Sequence, residues 1–153
     1  MAWQAITRGA NGIFYYSWYD IQRNPDVPFK AQWSILTAIA AEIESYAKEL
    51  LSDAGEAPAV AISDSESQST SPPSWLKARA RWSDDGYFYL FVCNDGNGSG
   101  RVKFILGKGV VIDKAGVTVV SESPPRHLNF TSKFEFSDNI EALDVVVYRL
   151  SPR

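Results

Sequence analysis

The hydrophobic pattern of the chain changes its period between residues 50 and 76, and this change limits the folds that the sequence can adopt. Before it, apolar residues recur at intervals of three and four, which predicts one apolar face of a long amphipathic helix that starts near Pro28. The residues of that face are Phe29, Trp33, Leu36, Ala40, Ile43, Ala47 and Leu50. After it, apolar and polar residues alternate from Leu76 to Trp82, as in a strand, and the Asp84-Asp85-Gly86 turn predicts a hairpin with the segment that follows.

The second part of the chain is predicted to be all β. Five segments rich in β-branched and aromatic residues follow the first strand, separated by Gly, Pro, Asn and Asp; they cover residues 86–94, 101–106, 116–120, 128–136 and 143–150. Short strands at this spacing predict an antiparallel β-sandwich over residues 58–153. The strand within 86–94 is apolar on both faces, so we expect it to be central and covered on both sides.

The first part, residues 1–57, is predicted to be a helix–strand–helix unit. The end of a helix at Trp3 to Arg8 precedes the aromatic run from Ile13 to Trp18, and a polar loop over 20–27 leads to the long helix. A run that is apolar on both faces resembles a parallel strand covered by helices. Exposing each of its large side chains to water would cost about 1.5–3 kcal/mol. Because the chain offers no second parallel strand, we expect residues 1–57 to be the last unit of a larger α/β structure.

The segments "MAWQAITRGANGIFYYSWYD" and "FKAQWSILTAIAAEI" carry a resemblance to a known family. They resemble the end of the (β/α)8 barrel in clan A retaining glycoside hydrolases of the β-galactosidase-like kind. In that family a helix and a Gly-containing turn lead into the eighth strand, which ends in an aromatic residue, and a β-sandwich domain follows. The resemblance covers residues 1–60 and extends to the rest only as architecture.

The resemblance implies a function and a site. Strand eight would end at the mouth of the barrel, where barrel enzymes place their active sites. Trp18, Tyr19 and Asp20 would then bind substrate, with Trp18 as a wall against the apolar face of a sugar. The two catalytic carboxylates of the family lie at the ends of strands four and seven, upstream of residue 1. We therefore expect a C-terminal fragment of a glycoside hydrolase that acts on β-linked carbohydrate, that lacks the catalytic pair and that is inactive alone.

Two other classes of function remain open. A carbohydrate-binding module would need a row of exposed aromatic residues, for which Trp75, Trp82 and Tyr87 are the candidates. A structural or interaction protein would instead dock its helical part onto a partner, either the missing barrel portion or a second copy in a homodimer. The basic residues that alternate with the apolar ones on the first strand, Lys77, Arg79 and Arg81, are predicted to be a solvated face.

The composition of the chain argues against several other classes of function. The formal net charge of −3 argues against a nucleic-acid partner, and no apolar run is long enough to predict a membrane span. One cysteine, Cys93, and one histidine, His127, cannot build a zinc site or an internal disulfide, and no cofactor is predicted. The compartment stays open, with a secreted parent protein among the options.

Overall fold

The protein is mainly β, with two antiparallel sheets and few helices. The computed structural model describes residues 1–15, 18–54, 57, 60–64, 72–107, 112–132 and 134–152. Its helices are α1 (Ala2–Thr7), α2 (Trp18–Arg23), α3 (Phe29–Ser45) and α4 (Ala47–Leu50). Its strands are β1 (Ala61–Asp64), β2 (Leu76–Trp82), β3 (Phe88–Asn94), β4 (Gly100–Ile105), β5 (Ile112–Val119), β6 (Arg126–Leu128), β7 (Glu135–Ile140) and β8 (Val145–Pro152).

The strands pair in two sheets, one of three strands in the order β1-β4-β7 and one of five in the order β2-β3-β8-β5-β6. The predicted hairpin is confirmed, because β2 pairs with β3 across the turn at 83–87 with Leu76 opposite Asn94 and Trp82 opposite Phe88. Strand β3 lies inside the larger sheet, between β2 and β8.

A single apolar core joins the two sheets. Ile62, Phe104 and Phe136 of the three-stranded sheet are buried in the same cluster as Phe88 and Tyr148 of the five-stranded sheet. The rings of Phe104 and Phe136 stack with their centroids 4.9 Å apart, and Tyr148 lies against both. A shared core of this kind is what a sandwich of two sheets requires.

The other face of β3 is covered as well, which confirms the sequence prediction for this strand. Tyr89, Phe91 and Cys93 are buried against Trp3 of α1 and Leu50 of α4. The Trp3 indole stacks on Phe91 with the ring centroids 6.2 Å apart. The cover therefore comes mainly from two short helices, and the long helix α3 adds the partly buried Ile43 near its C-terminal end.

The predicted strand from Ile13 to Trp18 is wrong over the described residues. Residues 12–15 have no regular secondary structure, residues 16 and 17 lie outside the described part, and Trp18 begins helix α2. The predicted loop over 20–27 is therefore helical as far as Arg23. A strand needs a neighbour for its backbone N–H and C=O groups, and no strand in the described part pairs with residues 12–15.

The predicted burial of the long apolar helix face is also wrong. The helix itself forms, as α3 followed by α4, but none of the residues of α3 is buried. Trp33, the largest side chain of the predicted face, is 44% exposed. Of the apolar series, Leu50 alone reaches the core cluster under β3 as a fully buried residue.

Two features of the β part differ from the prediction. Strand β1 was not predicted, because Ala61–Asp64 is a short edge strand with a single buried apolar residue, Ile62. The predicted strand at 128–136 is divided between the ends of β6 and β7, with 129–131 forming no strand between them. The Ser-rich segment at 65–71 lies outside the described residues.

Candidate functional site

The predicted substrate-binding residues lie at the start of α2, not at the end of a strand. Tyr19 and Asp20 are both exposed there, and Tyr19 presents 63% of its surface to solvent. Asp20 stands in the first turn of the helix, where a carboxylate is favoured by the helix dipole. The backbone of Trp18 begins the same helix, and its side chain lies outside the described part.

Arg23 completes a small polar and aromatic surface with these residues. Its guanidinium lies over the Tyr19 ring, 5.2 Å from the centroid, and the four-residue spacing places the two side chains on one side of α2. The surface then offers an aromatic face, the five N–H donors of a guanidinium and the acceptor oxygens of Asp20. A sugar needs this combination, because it presents C–H groups on one face and hydroxyl groups around its rim.

A groove, which we call the apolar groove, runs along α3 beside this surface. It has two hollows of about 310 Å³ and 230 Å³. The first is lined by Tyr15, Ile21, Trp33, Leu36, Thr37 and Ala40. The second lies between the 10–13 segment, the end of α3 and α4. Tyr15 and Ala40 line both hollows, and neither Tyr19 nor Asp20 lines either of them.

The loop carboxylates of the β part are held by internal contacts. Asp84 accepts hydrogen bonds from the Ser52 hydroxyl at 2.6 Å and from the Ala54 amide at 3.3 Å. Asp85 accepts one from the Tyr87 amide, and Asp95 pairs with Arg8 at 2.9 Å. These bonds give the carboxylates structural roles in joining loops and helices. Glu66 lies outside the described residues.

The basic residues of β2 are not the solvated face that the sequence predicts. The Arg79 guanidinium donates to the carbonyl oxygens of Ile6 and Ala10 and to the side-chain oxygen of Asn11, at 3.4, 3.1 and 3.1 Å. The Arg81 guanidinium is buried and donates to the carbonyl oxygen of Ser52 at 2.7 Å. Each arginine thus binds the chain just past the C-terminal end of a helix, where the helix dipole favours a cation.

The burial of these two arginine side chains could have been predicted from the sequence. In the hairpin, Arg79 pairs with Phe91 and Arg81 pairs with Tyr89, so each shares a face with an apolar residue of β3. If that face of β3 is covered, the same cover must extend over the neighbouring β2 residues. The predictions of a covered β3 face and a solvated β2 face were therefore incompatible.

The aromatic residues of the β part do not form one exposed row. Trp75 and Trp82 pack against the core between the sheets, with Trp82 edge-on to Phe88 at 5.4 Å. Tyr87 packs on the opposite side of the larger sheet, where the Arg149 guanidinium lies 4.9 Å from its ring centroid. All three are partly buried.

The Gly-rich loop between β3 and β4 closes over Trp75. A Cβ atom at Gly96 would lie 2.7 Å from the Trp75 Cβ, so any other residue here would force this part of the structure to shift. The Asn94 amide donates to the carbonyl oxygens of Gly98 and Glu141 at 2.6 and 2.7 Å, and its oxygen accepts from the Gly96 amide. The side chain of Asn94 is therefore used to hold the loop. A hairpin loop predicted here from the sequence is wrong, because β3 and β4 lie in different sheets and the loop connects the two.

The described residues hold no metal centre, since they contain no group of three or more His, Cys, Asp and Glu side chains that could bind an ion. His127 is exposed on β6, the edge strand, with its Nδ1 3.2 Å from the Thr118 hydroxyl. Cys93 is buried, and burial raises the pKa of its thiol.

No protein-family model matches the chain, and no curated protein sequence matches it. None of the helices in the described part is long and apolar enough to cross a membrane.

Proposed function

We propose that the chain is the C-terminal part of a retaining glycoside hydrolase that acts on β-linked carbohydrate. In this proposal residues 1–57 complete a (β/α)8 barrel and the β-sandwich braces it. The observation that carries the proposal is the exposed cluster of Tyr19, Asp20 and Arg23, which combines an aromatic face with hydrogen-bonding groups suited to a sugar.

The uncovered apolar surface of α3 supports the same proposal. An outer barrel helix packs its apolar side against the strands and the neighbouring helices. A helix that presents Trp33 and Leu36 in an open groove has the surface that such a packing would use. The preceding β/α units would cover this surface in the complete enzyme, and a homodimer would cover it in their absence.

In the complete barrel, residues 13–18 would also find neighbours for their backbone groups. A parallel strand is stabilised only when it is paired and covered on both faces. We expect residues 13–15, which have no regular secondary structure here, to become part of a strand when the run is joined to its barrel.

The test is binding of a β-linked disaccharide to the ¹⁵N-labelled chain, followed by NMR. Cellobiose and lactose are expected to shift the amide signals of residues 18–23. Tyr19→Ala and Asp20→Asn should each weaken this binding at least about tenfold, while Phe134→Ala, which removes an exposed aromatic residue of the β part, should leave it unchanged. Shifts that are absent for both sugars, or that survive Tyr19→Ala, would contradict the proposed site.

A further inference from the structure

Two arginines of strand β2 hold the two ends of the helical part on the larger sheet. Arg79 and Arg81 are two residues apart, so their side chains leave the same face of the strand about 7 Å from each other. Arg79 binds the carbonyl oxygen of Ala10, three residues after α1, and the buried Arg81 binds that of Ser52, two residues after α4. The two contacts therefore hold the chain on the sheet at neighbouring points, with α2, α3 and α4 between them.

Helices α2 and α3, which we call the helical arm, lie between these contacts and add little to the buried core. None of the residues of α3 is buried, and the described side chains of α2 are exposed or half-buried. The main neighbour of α2 is α3, and α3 meets the rest of the described chain mainly through α4. Ile43, near the end of α3, is partly buried under β3. A segment with so few buried apolar contacts is expected to open locally without unfolding of the core.

Helix α3 also lacks the usual stabilising features at its ends. Its N-cap residue, Pro28, makes no side-chain hydrogen bond to the first turn, which holds no acidic residue, and the last turn holds no basic one. Lys30 lies near the start and Glu42 and Glu44 lie near the end, where each charge opposes the helix dipole. Helices in proteins gain most of their stability from tertiary packing. Because α3 has little of this packing, we expect it to be marginally stable.

We propose that the helical arm opens and re-forms as one unit while the β-sandwich, α1 and α4 stay folded. Gln32 of α3 couples the two helices, because its side-chain amide donates to the carbonyl oxygens of Ile21 in α2 and of Val27, at 3.3 and 2.7 Å. When α3 opens, α2 loses this contact and its main neighbour, so the two helices open together. The fold then contains a conformational change that does not require the core to unfold.

Each side of the helical arm is anchored by an arginine together with buried apolar residues. On the first side Trp3 and Ile6 of α1 are buried under β3, and on the second side Leu50 of α4 is buried there. Arg81 binds the residue two positions after Leu50 and so fixes α4 at its C-terminal end. Because both anchors stay in place when the arm opens, the arm re-forms from a closed loop, which limits the entropy that it loses.

The first test is hydrogen exchange of the backbone amides, followed by mass spectrometry at low protein concentration. The amides of residues 33–45 should exchange more slowly than those of an unstructured peptide, but at least about a hundredfold faster than those of β3. Equal protection of α3 and β3 would overturn the proposal, because the chain would then open as a single unit. Exchange of α3 at the rate of an unstructured peptide would also overturn it, because no folded arm would exist to open.

The second test changes a charge at the end of α3. Glu44→Lys replaces a charge that opposes the helix dipole with one that suits it, and should slow the exchange of the α3 amides about two- to fivefold without changing that of β3. Glu141→Lys makes the same charge change at an exposed position between β7 and β8, so it is the matched control and should leave α3 unchanged. Equal slowing of α3 and β3 by Glu44→Lys would overturn the proposal.

The third test asks whether Arg81 keeps the opening from spreading into α4; like the others it uses no sugar, so it does not depend on the proposed function. Arg81→Met keeps a long side chain under the helices but removes the donor to Ser52. The amides of Leu50 and Leu51, which are hydrogen-bonded in α4, should then exchange as fast as those of α3, while β3 stays protected. Arg101→Met is the matched control, because Arg101 is exposed on β4, and it should change neither. Unchanged protection of Leu50 and Leu51 in Arg81→Met would overturn the assigned limit of the opening unit.

Discussion

Arg79 donates a hydrogen bond from β2 to the carbonyl oxygen of Ala10 at a distance of 3.1 Å, and so ties the larger sheet to the segment that follows α1. The same guanidinium also reaches Ile6 and Asn11. One strand residue thereby satisfies three acceptors near a helix end. The N-terminal helix is held on the sheet by this contact as well as by the burial of Trp3 and Ile6.

We predict that Arg79→Ala destabilises the chain by about 1–3 kcal/mol, because it leaves partly buried carbonyl groups without their donor. The measurement is urea unfolding, together with hydrogen exchange of the α1 amides, which should become faster. Arg8→Ala is the matched control, since the Arg8 side chain is 54% exposed and its ion pair with Asp95 is a surface pair. It should cost about 1 kcal/mol or less. Equal effects of the two substitutions would contradict the prediction.

The ion pair between Arg126 and Asp138 joins the two sheets. The Arg126 guanidinium, on the edge strand β6, forms two hydrogen bonds to Asp138 of β7, at 2.8 and 2.9 Å. The Tyr148 hydroxyl of β8 donates to the same carboxylate at 3.0 Å. The Asp138 side chain is 6% exposed, while that of Arg126 is 39% exposed. Burial, together with the Asp138 charge, raises the pKa of Tyr148, so its hydroxyl stays a donor.

We predict that Asp138→Ala costs about 2–4 kcal/mol, less than for a fully buried pair because Arg126 still reaches solvent. Tyr148→Phe should cost about 1 kcal/mol, since Asp138 keeps both bonds from Arg126. Glu122→Ala removes the more exposed partner of the same arginine, 41% exposed, and should cost about 1 kcal/mol or less. Chemical unfolding of the three variants tests this order, and a cost for Glu122→Ala as large as that for Asp138→Ala would refute it.

The pKa of Tyr89 predicts how stability depends on alkaline pH. Burial, together with the nearby Asp85 and Glu49 carboxylates and against the opposing effect of Arg149, raises this pKa to about 12. The unfolded chain releases this proton near pH 10 and the folded chain only near pH 12. The folded state therefore binds more protons in this window, and its stability falls as pH rises from 10 to 12.

We predict that Tyr89→Phe makes this alkaline loss of stability shallower. The measurement is the free energy of unfolding at several pH values between 9 and 12 for both proteins. Tyr19→Phe is the control, because Tyr19 is an exposed tyrosine and should not change the slope. Identical slopes for Tyr89→Phe and the unmodified chain would show that other groups cause the loss.

The strands of the β part could be predicted because the alternation of apolar and polar residues is a local pattern. Alternation in β2 and β3 determines which side chains face the core, and the turn at 84–86 brings the two strands into register. The order of the strands could not be predicted, because β8 pairs with β3 and β1 pairs with β4 through contacts that no local pattern specifies.

The structure of the N-terminal part was harder to predict, for a different reason. The run from Ile13 has the composition of a buried strand, but a strand also needs partners, and in the described part residues 12–15 have none. The periodicity of α3 did predict a helix, but periodicity cannot say whether an apolar face is covered within the same chain. The predicted position of the candidate site was wrong for the same reason, because Tyr19 and Asp20 lie on a helix and not at the end of a strand.

We predict that the chain alone does not hydrolyse aryl β-glycosides. Retaining hydrolysis needs two carboxyl groups about 5–5.5 Å apart that flank the glycosidic bond. Under the proposed function that pair belongs to other strands of the barrel, and the described loop carboxylates Asp84, Asp85 and Asp95 are bound to other groups of the chain. A sensitive fluorogenic assay tests this. Turnover that is lost on changing any carboxylate of the chain would contradict the prediction.

Trp3 and Trp33 should differ strongly in their contribution to stability. Trp3 is 6% exposed and packs against both Phe91 and Tyr46, whose ring centroids lie 6.2 and 6.1 Å from that of Trp3. Trp33 is 44% exposed and stacks on the neighbouring Phe29 of the same helix. We predict that Trp3→Ala costs about 3–5 kcal/mol, as expected for a buried tryptophan.

Trp33→Ala should cost about 1 kcal/mol or less at a concentration where the chain is monomeric, because half of the side chain is already in water. Unfolding in denaturant at low concentration measures both values. A large cost for Trp33→Ala in the dilute monomer would mean that α3 is packed within a single chain.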